Sequence, residues 1–418
     1  MTGVVRLLRR PATGALAGQV TSALAGFVLQ VAAARALGVA GLATFSLAYG
    51  AIVLATAVCS GLVGDSLTVL DRHEPRVRAG LHVSTALVSG VAGLAGCVLG
   101  VATGVLPAWA GLLLGAATAA FVLEDTLRRL LMAAGRFWSL PAVDVTSLVV
   151  ALGTLLVAAR AGGLELSSFV VALLAGQTAA AVVAWVLLPA AERPRGPWRD
   201  PALGTVFAFG SWRAAAQTVR PALLTVLRLL VVAVAGAAAY GPLEAARVYT
   251  APTLVLVAGL GTFLLPHFVS LRPQGPAAGL RAADRAAAGL ALAVGVVGLL
   301  AVLALPWAGP LLTGGDYPVP AEAVAGWSVY AVASAVLLPY SGLASVHGAQ
   351  RRVLVLRAFE FASLAAVALL LAVDGGVPWT PLALTLGPVL AAVAVRRSVL
   401  LPMARSTAGS VVREPAVA

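Results

Sequence analysis

The chain has 418 residues, of which 61% are hydrophobic and 11% are charged, and its mean hydropathy is +0.99. This apolar surface exceeds what a soluble fold can bury, which excludes a soluble protein and leaves no room for a soluble domain. The net charge of +12 does not indicate a nucleic-acid partner, because the arginines are spread over many short loops.

Apolar runs recur along the whole chain, and each is long enough to cross about 30 Å of hydrocarbon. The first run is predicted to be a retained span rather than a cleaved signal peptide, because Gln19 and Gln30 interrupt it and a second run follows at once. About twelve spans are predicted, at 13–34, 40–64, 81–102, 107–131, 142–160, 167–189, 212–236, 243–268, 284–306, 319–345, 352–373 and 377–395.

The arginines distinguish the two sides of the membrane. They precede the first span and cluster after every even-numbered span, whereas the opposite loops hold only Arg35, Arg160 and Arg247. By the positive-inside rule, both termini are predicted to be cytoplasmic. We therefore expect a multi-pass protein of the inner (cytoplasmic) membrane.

A connection rich in proline and arginine, "AAERPRGPWRDPALG", separates two similar sets of spans. It predicts an N-terminal six-helix half at 1–190, a cytoplasmic linker at 191–203, and a C-terminal half with a short tail at 204–418. Aligning Gln19 with Gln217 also aligns Gln30 with Arg228. The predicted fold is an all-α polytopic membrane protein with about twelve transmembrane helices in two parallel six-helix halves.

Polar residues follow one face of the seventh span, within "SWRAAAQTVRPALLTVLRLLVVAVAG". At about 100° per residue they occupy about a quarter of the helix circumference. Each arginine at bilayer depth costs about 2.5–3.5 kcal/mol, which favours a cavity that binds an anion. The residues of this arginine stripe are Arg213, Gln217, Arg220 and Arg228.

Three further residues are candidates for the same cavity. Gln19 and Gln30 are predicted to line it from the first span, and Arg247 is predicted to guide the anion on exit. Two alternatives stay open within the stripe: Arg228 forms a structural pair with a buried acid, or Arg213 is an anchor at the membrane interface.

The acids in the predicted spans have two interpretations. Asp65 and Asp144 either partner arginines or couple transport to a proton or sodium ion. Glu124 and Asp125 precede two arginines by helical spacing, which predicts a cluster of i,i+4 ion pairs with Arg128 and Arg129. We find no spacing typical of a metal site, cofactor site or catalytic group, so we expect no metal, no cofactor and no enzyme.

Three segments resemble one transporter superfamily. They are "AARALGVAGLATFSLAYG" between the first two spans, "RRLLMAAGRFWSLPAVDV" between the fourth and fifth, and "WAGPLLTGGDYPVPAEAVAGWSVYAV" between the ninth and tenth. In order and spacing they are similar to the polysaccharide biosynthesis and export branch of the multidrug/oligosaccharidyl-lipid/polysaccharide (MOP) exporter superfamily.

This resemblance implies an oligosaccharide flippase that works by alternating access. Its substrate would be an anionic lipid-linked glycan of the polyprenyl diphosphate type. Membrane lipids and glycosyltransferase or polymerase proteins would be further partners. The chain departs from cation-coupled relatives, because no Asp or Glu precedes Asp65. The alternatives are a cation-coupled drug or metabolite antiporter of the same fold, or a non-transporting scaffold for envelope synthesis.

Overall fold

The computed structural model describes residues 11–102, 106–193, 199–253, 257, 264 and 267–405. Within these ranges there is no β-strand, and 11 helices are long and apolar enough to cross a membrane. The predicted all-α polytopic fold class is confirmed. The predicted eighth span begins in a described helix, but most of 250–268 lies outside the described residues.

The chain divides into two compact units between Leu229 and Leu230. The predicted division at the linker 191–203 stays a prediction. The helices of the first unit are α1 (Pro11–Ala36), α2 (Gly38–Cys59), α3 (Asp65–Val69), α4 (Pro75–Ala102), α5 (Ala108–Ala133), α6 (Leu140–Ala161), α7 (Leu166–Leu187) and α8 (Leu203–Ala235), the last of which continues past Leu229.

The second unit is also helical over its described residues. Helices α10 and α11 pack against each other. The indole N–H of Trp327 in α11 donates a hydrogen bond of 3.1 Å to the carbonyl of Leu243 in α9. The helices are α9 (Ala237–Tyr249), α10 (Pro276–Thr313), α11 (Ala321–Val346), α12 (Gln350–Arg357), α13 (Ser363–Leu371), α14 (Thr380–Leu384) and α15 (Leu386–Val395).

Some helices extend beyond the predicted apolar runs. Helix α8 begins at Leu203 rather than at 212, and α10 spans Pro276–Thr313 rather than 284–306. Pro276 stands in the first turn of α10, where its fixed φ favours the helix and no intrahelical N–H bond is lost. The added turns, such as "LGTVFAFGS" and "WAGPLLT", contain glycine or proline, which are read from sequence as breakers at the end of a span.

A turn of π-helix at Ser60–Gly64 joins α2 to α3, and α8 packs directly against it. A Cβ at Gly61 would lie 2.6 Å from the carbonyl carbon of Arg213. A Cβ at Gly210 would lie 2.9 Å from the backbone carbonyl carbon of Leu62. Small residues allow such close helix packing in membranes. The contact holds the start of the arginine stripe beside the π-helical turn.

Helices α4 and α5 also meet through glycines. A Cβ at Gly100 would lie 2.6 Å from the Cα of Gly111, and one at Gly96 would lie 3.1 Å from the Cα of Gly115. Only hydrogen fits at these positions, so the two backbones are in contact. This packing fixes α5, which carries four of the charged residues described below.

Candidate functional site in the first unit

The arginine stripe lies on one uninterrupted helix, α8, with Pro221 inside it. Arg228 is only 6% exposed, Arg213 and Arg220 are half-buried, and Gln217 is exposed. At about 1.5 Å per residue, Arg228 lies roughly 12 Å along the helix from Arg220 and roughly 22 Å from Arg213. Arg228 is therefore the most buried residue of the stripe.

Arg228 packs against α2 at Gly50. A Cβ at Gly50 would overlap the Nη1 atom of Arg228 and would lie 3.2 Å from its guanidinium carbon. The neighbouring Tyr49 packs edge-on against Phe121 of α5, with ring centroids 6.1 Å apart. Consecutive residues of α2 thus contact the deepest arginine of α8 and the middle of α5.

Arg213, at the other end of the stripe, belongs to a charged network. Its Nη1 lies 3.3 Å from Asp65, which also lies 3.5 Å from Nη1 of Arg129. Arg129 in turn donates from Nε to Asp125 at 2.9 Å, and the hydroxyl of Ser60 donates to the same carboxylate at 2.6 Å. Two arginines here balance two aspartates, so the network is neutral and ties α8 to α3, α5 and the π-helical turn.

A second network joins α1, α5 and α6. The guanidinium of Arg128 lies 3.1 Å and 3.2 Å from the two oxygens of Asp144. It also donates to the hydroxyl of Ser22 and to the carbonyl of Gly18, both at 2.9 Å. Thr21 donates to Asp144 at 2.8 Å. The contacts to Ser22, Gly18 and Thr21 bind α1 to this ion pair.

Helical spacing predicted two i,i+4 ion pairs on α5, and one of them forms. Asp125 pairs with Arg129, whereas Arg128 pairs with Asp144 rather than with Glu124. Glu124 is only 9% exposed. The predicted pair between Glu124 and Arg128 is therefore wrong, because spacing along one helix gives no information about a partner on another helix.

The two coupling candidates, Asp65 and Asp144, are therefore both engaged with arginines of the first unit. Within the described residues, no group of three or more His, Cys, Asp or Glu side chains is placed to hold a metal ion. The roles of these acids in coupling stay predictions.

The other predicted site residues lie apart from these networks. Gln19 is exposed on α1, and Gln30 donates to the carbonyl of Gly26 in its own helix at 3.1 Å. In the second unit, Arg247 lies 2.6 Å from a carboxylate oxygen of Glu244, which is fully buried. The pairing with Glu244 gives Arg247 a structural role, and its predicted guidance of an anion stays untested.

Outside the spans, Arg72 clamps three segments of the first unit. Its guanidinium makes two 3.0 Å hydrogen bonds to the carboxylate of Glu192 and a 3.1 Å bond to the carbonyl of Ala133, the last residue of α5. The hydrogen bond from Arg72 lowers the pKa of Glu192 below its usual range. Because α5 ends in this clamp, the helix that carries the charged networks is fixed at that end.

No family model and no curated protein matches the sequence. Solved structures do match the fold. A multidrug resistance MATE family transporter of the MOP superfamily, in an inward-facing conformation, gives a TM-score of 0.68 at 14% identity, over 97% of this chain and 96% of that chain. A MATE protein in complex with MaL6 gives 0.66 at 14% identity, over 98% of this chain and 99% of that chain.

A MOP superfamily transporter from Pyrococcus furiosus, described as having a binding pocket of reversed polarity, gives 0.63 at 14% identity, over 96% of this chain and 95% of that chain. The chain therefore has the fold of MATE transporters of the MOP superfamily. The narrower resemblance to the polysaccharide branch stays a prediction.

Proposed function

We propose that the protein is a membrane transporter that moves an anionic, lipid-linked glycan precursor by alternating access. The observation that carries this proposal is the burial of Arg228 in α8, against a glycine of α2 that leaves room for its guanidinium. A buried arginine in a membrane span is costly and is by default a candidate functional residue. The fold supports transport, and the arginine supports an anionic substrate.

The chemistry of the guanidinium suits a phosphate group. Its planar fork of N–H donors matches two phosphate oxygens at once, and these charge-assisted hydrogen bonds strengthen in a dry environment. Arg220 lies two turns from Arg228 on the same face and is less buried. Arg220 and Arg228 thus place two positive charges along α8, the second more buried than the first. This arrangement suits a diphosphate that enters near Arg220. Arg213 is held by Asp65 and serves as an anchor in this proposal.

The membrane potential favours outward movement of such a substrate. Carrying one negative charge out across an inside-negative membrane gains about 2.3 kcal/mol per 100 mV. An anionic head group therefore gains free energy on export even without a coupling ion. The transporter from Pyrococcus furiosus, which has this fold, is described as having a binding pocket of reversed polarity that suggests a different function.

A drug antiporter of the same fold is the second candidate. It is favoured by the solved neighbours, several of which are multidrug transporters or MATE proteins, and by the buried acid Glu124. Such an antiporter would carry cationic, amphipathic compounds. The two candidate functions therefore differ in the sign of the substrate's charge.

Reconstitution in lipid vesicles tests the choice. The probes are a fluorescent short-chain polyprenyl diphosphate sugar and a lipophilic cationic dye. We expect the wild type to flip the diphosphate, and Arg228→Ala to reduce that rate by roughly tenfold or more, since a charge-assisted hydrogen bond contributes about 1.5–3 kcal/mol. Arg160→Ala is the control, because Arg160 is an exposed arginine at the end of α6.

Transport of the dye alone, unaffected by Arg228→Ala, would overturn the anionic substrate and favour the antiporter. Flipping of the diphosphate at equal rates by the wild type and Arg228→Ala would remove Arg228 from the site. Arg228→Lys distinguishes charge from shape. It keeps the positive charge but loses the planar fork, so we expect an intermediate rate.

A further inference from the structure

The most unusual acid in the described chain is Glu124 of α5. Its side chain is nine-tenths buried, and no other described residue makes a hydrogen bond or ion pair with its carboxyl group. It lies nine residues, or roughly 13 Å, from the end of α5 at Ala133, well inside a membrane-spanning helix. A buried polar group without a partner costs stability, so its retention calls for a function.

The cation that acts electrostatically on Glu124 is already engaged elsewhere. Arg128 stands one helical turn after Glu124, at the spacing that allows a salt bridge on one helix face. Its guanidinium is directed instead to Asp144, at 3.1 Å and 3.2 Å, and to two acceptors on α1. The charge of Arg128 therefore acts on two carboxyl groups, those of Glu124 and Asp144.

Glu124, Arg128 and Asp144 form a trio that lacks one positive charge when both of its carboxyl groups are ionised. The neighbouring Asp125 is neutralised by Arg129 at 2.9 Å and by a hydrogen bond from Ser60. Arg128 balances only one of the two remaining carboxylates. An uncompensated charge in a dry interior is strongly disfavoured, and a carboxylate removes the charge by taking up a proton. The trio is therefore complete only with one proton bound.

The ionisable groups on the packed helices do not supply this charge. The groups that act electrostatically on Glu124 are Asp125, Arg128 and Asp144. Helix α7, which packs against α5, contains no ionisable residue. On the other neighbours, Asp65 of α3 pairs with Arg129 and Arg213. Cys59 of α2 contacts Thr126, and His82 of α4 is buried next to Arg78.

We propose that Glu124, Arg128 and Asp144 form a proton-exchange site for the transport cycle, in which one proton and one guanidinium change places between two carboxyl groups. In the present arrangement Glu124 holds the proton and Asp144 holds Arg128. In the alternative arrangement Asp144 is protonated, Glu124 is ionised, and Arg128 turns back by one helical turn to pair with it. The net charge of the trio is zero in both.

The exchange has a structural consequence in the first unit. Arg128 binds α1 through Ser22 and Gly18, and Thr21 binds Asp144. When Arg128 turns to Glu124, its hydrogen bonds to α1 are released. The site also lies close to the proposed anion site, because α2 contacts α5 through Tyr49 and Phe121 and contacts Arg228 through the next residue, Gly50. The link to a transport cycle rests on the proposed function, whereas proton binding by the trio does not.

Infrared difference spectroscopy of the full-length protein in lipid nanodiscs tests the proton directly. A protonated carboxyl group has a carbonyl stretching band that shifts in D₂O. We expect this band in the wild type at neutral pH and expect Glu124→Gln to remove it. Glu322→Gln, the same change at an exposed position in the first turn of α11, should leave it unchanged. A wild type without the band, or a band that survives Glu124→Gln, would overturn the proposal.

A second variant separates exchange from mere burial. In Asp144→Asn the guanidinium of Arg128 is no longer held by a carboxylate, so it should turn to Glu124, and Glu124 should ionise. The band should therefore disappear from Asp144→Asn although Glu124 is intact. A band of unchanged intensity in this variant would show that Arg128 does not change partners.

Vesicle assays then test the link to transport, with the diphosphate probe and an imposed pH gradient. We expect the gradient to change the wild-type rate, and we expect Glu124→Gln to transport at a rate that no longer responds to it. A full response in Glu124→Gln would exclude Glu124 from coupling. If neither probe is transported by the wild type while the infrared results hold, the proposed function fails and the proton site stands.

Discussion

The guanidinium of Arg228 in α8 occupies the space that a side chain at Gly50 of α2 would need, because its carbon lies only 3.2 Å from where a Cβ on Gly50 would stand. The glycine therefore determines where the deepest cation of the first unit lies. Because the overlapping atoms belong to the flexible end of an arginine side chain, a small residue at position 50 can be accommodated by moving that end. The pair allows the position of the cation to be changed without removing its charge.

We predict that Gly50→Ala folds normally but impairs handling of the anionic probe. The new methyl group displaces the guanidinium, and the affinity should fall by about five- to tenfold, equivalent to about 1–1.4 kcal/mol. The alanine itself favours the helix by up to about 1 kcal/mol, so thermal stability should not fall in parallel. Binding of the diphosphate sugar to detergent-solubilised protein measures the effect. Gly90→Ala is the matched control, because nothing lies within 4 Å of a Cβ there.

The network around Asp125 gives a prediction about stability. In Asp125→Asn, Arg129 loses its 2.9 Å partner and Ser60 loses a charged acceptor. Breaking a fully buried ion pair costs about 3–5 kcal/mol, and we expect about 2–3 kcal/mol here because both side chains are 20% exposed. Unfolding in mixed detergent micelles measures it. Asp200→Asn breaks the exposed pair with Arg76 and should cost less than about 1 kcal/mol; equal losses would contradict the network's role.

The sequence was sufficient to predict, in order, the eleven spans found in the part of the chain that the structure describes, because each span contributes about twenty apolar residues to the signal. It was not sufficient for the π-helical turn at Ser60–Gly64, which changes hydrogen-bond register without changing composition. The sequence also did not predict the ion-pair partner of Arg128. Spacing favoured Glu124, but donors and acceptors from α1 and α6, as far as 110 residues away in sequence, make Asp144 the better partner.

The buried group Glu244 in the second unit leads to a third prediction. It accepts a 2.7 Å hydrogen bond from the hydroxyl of Tyr240 as well as the ion pair with Arg247. We expect Tyr240→Phe to lower the free energy of unfolding by about 1.5–3 kcal/mol, the usual range for a hydrogen bond to a charged group. Tyr249→Phe is the comparison, since Tyr249 donates to the neutral carbonyl of Ala301 and should cost about 1 kcal/mol.

The second half of this test concerns the role of Arg247. If Arg247 only neutralises Glu244, then Arg247→Gln should destabilise the protein, and the double variant Arg247→Gln with Glu244→Gln should recover part of the loss. Transport of the diphosphate probe by the double variant should then equal that of the wild type. A slower rate in a stable double variant would instead support the predicted guidance of an anion on exit.

The clamp between Arg72 and Glu192 predicts a pH dependence of stability. The guanidinium hydrogen bond lowers the pKa of Glu192 in the folded state, so the folded protein binds fewer protons there than the unfolded chain. The stabilisation is fully present above the unfolded pKa of about 4.3 and is lost as the pH falls through the lower, folded pKa. Glu192→Gln should therefore lower stability at neutral pH and flatten the decline in acid.

Thermal unfolding between neutral and strongly acidic pH measures this effect, with Glu74→Gln as the control. Glu74 is an exposed glutamate in the loop that also holds Arg72, and its side chain makes no ion pair with another described residue. Its substitution should leave the acid limb of the curve unchanged. If both variants follow the wild-type curve, the Glu192 carboxylate contributes no more than a solvated charge. In that case the end of α5 would be held only by the hydrogen bond from Arg72 to the carbonyl of Ala133.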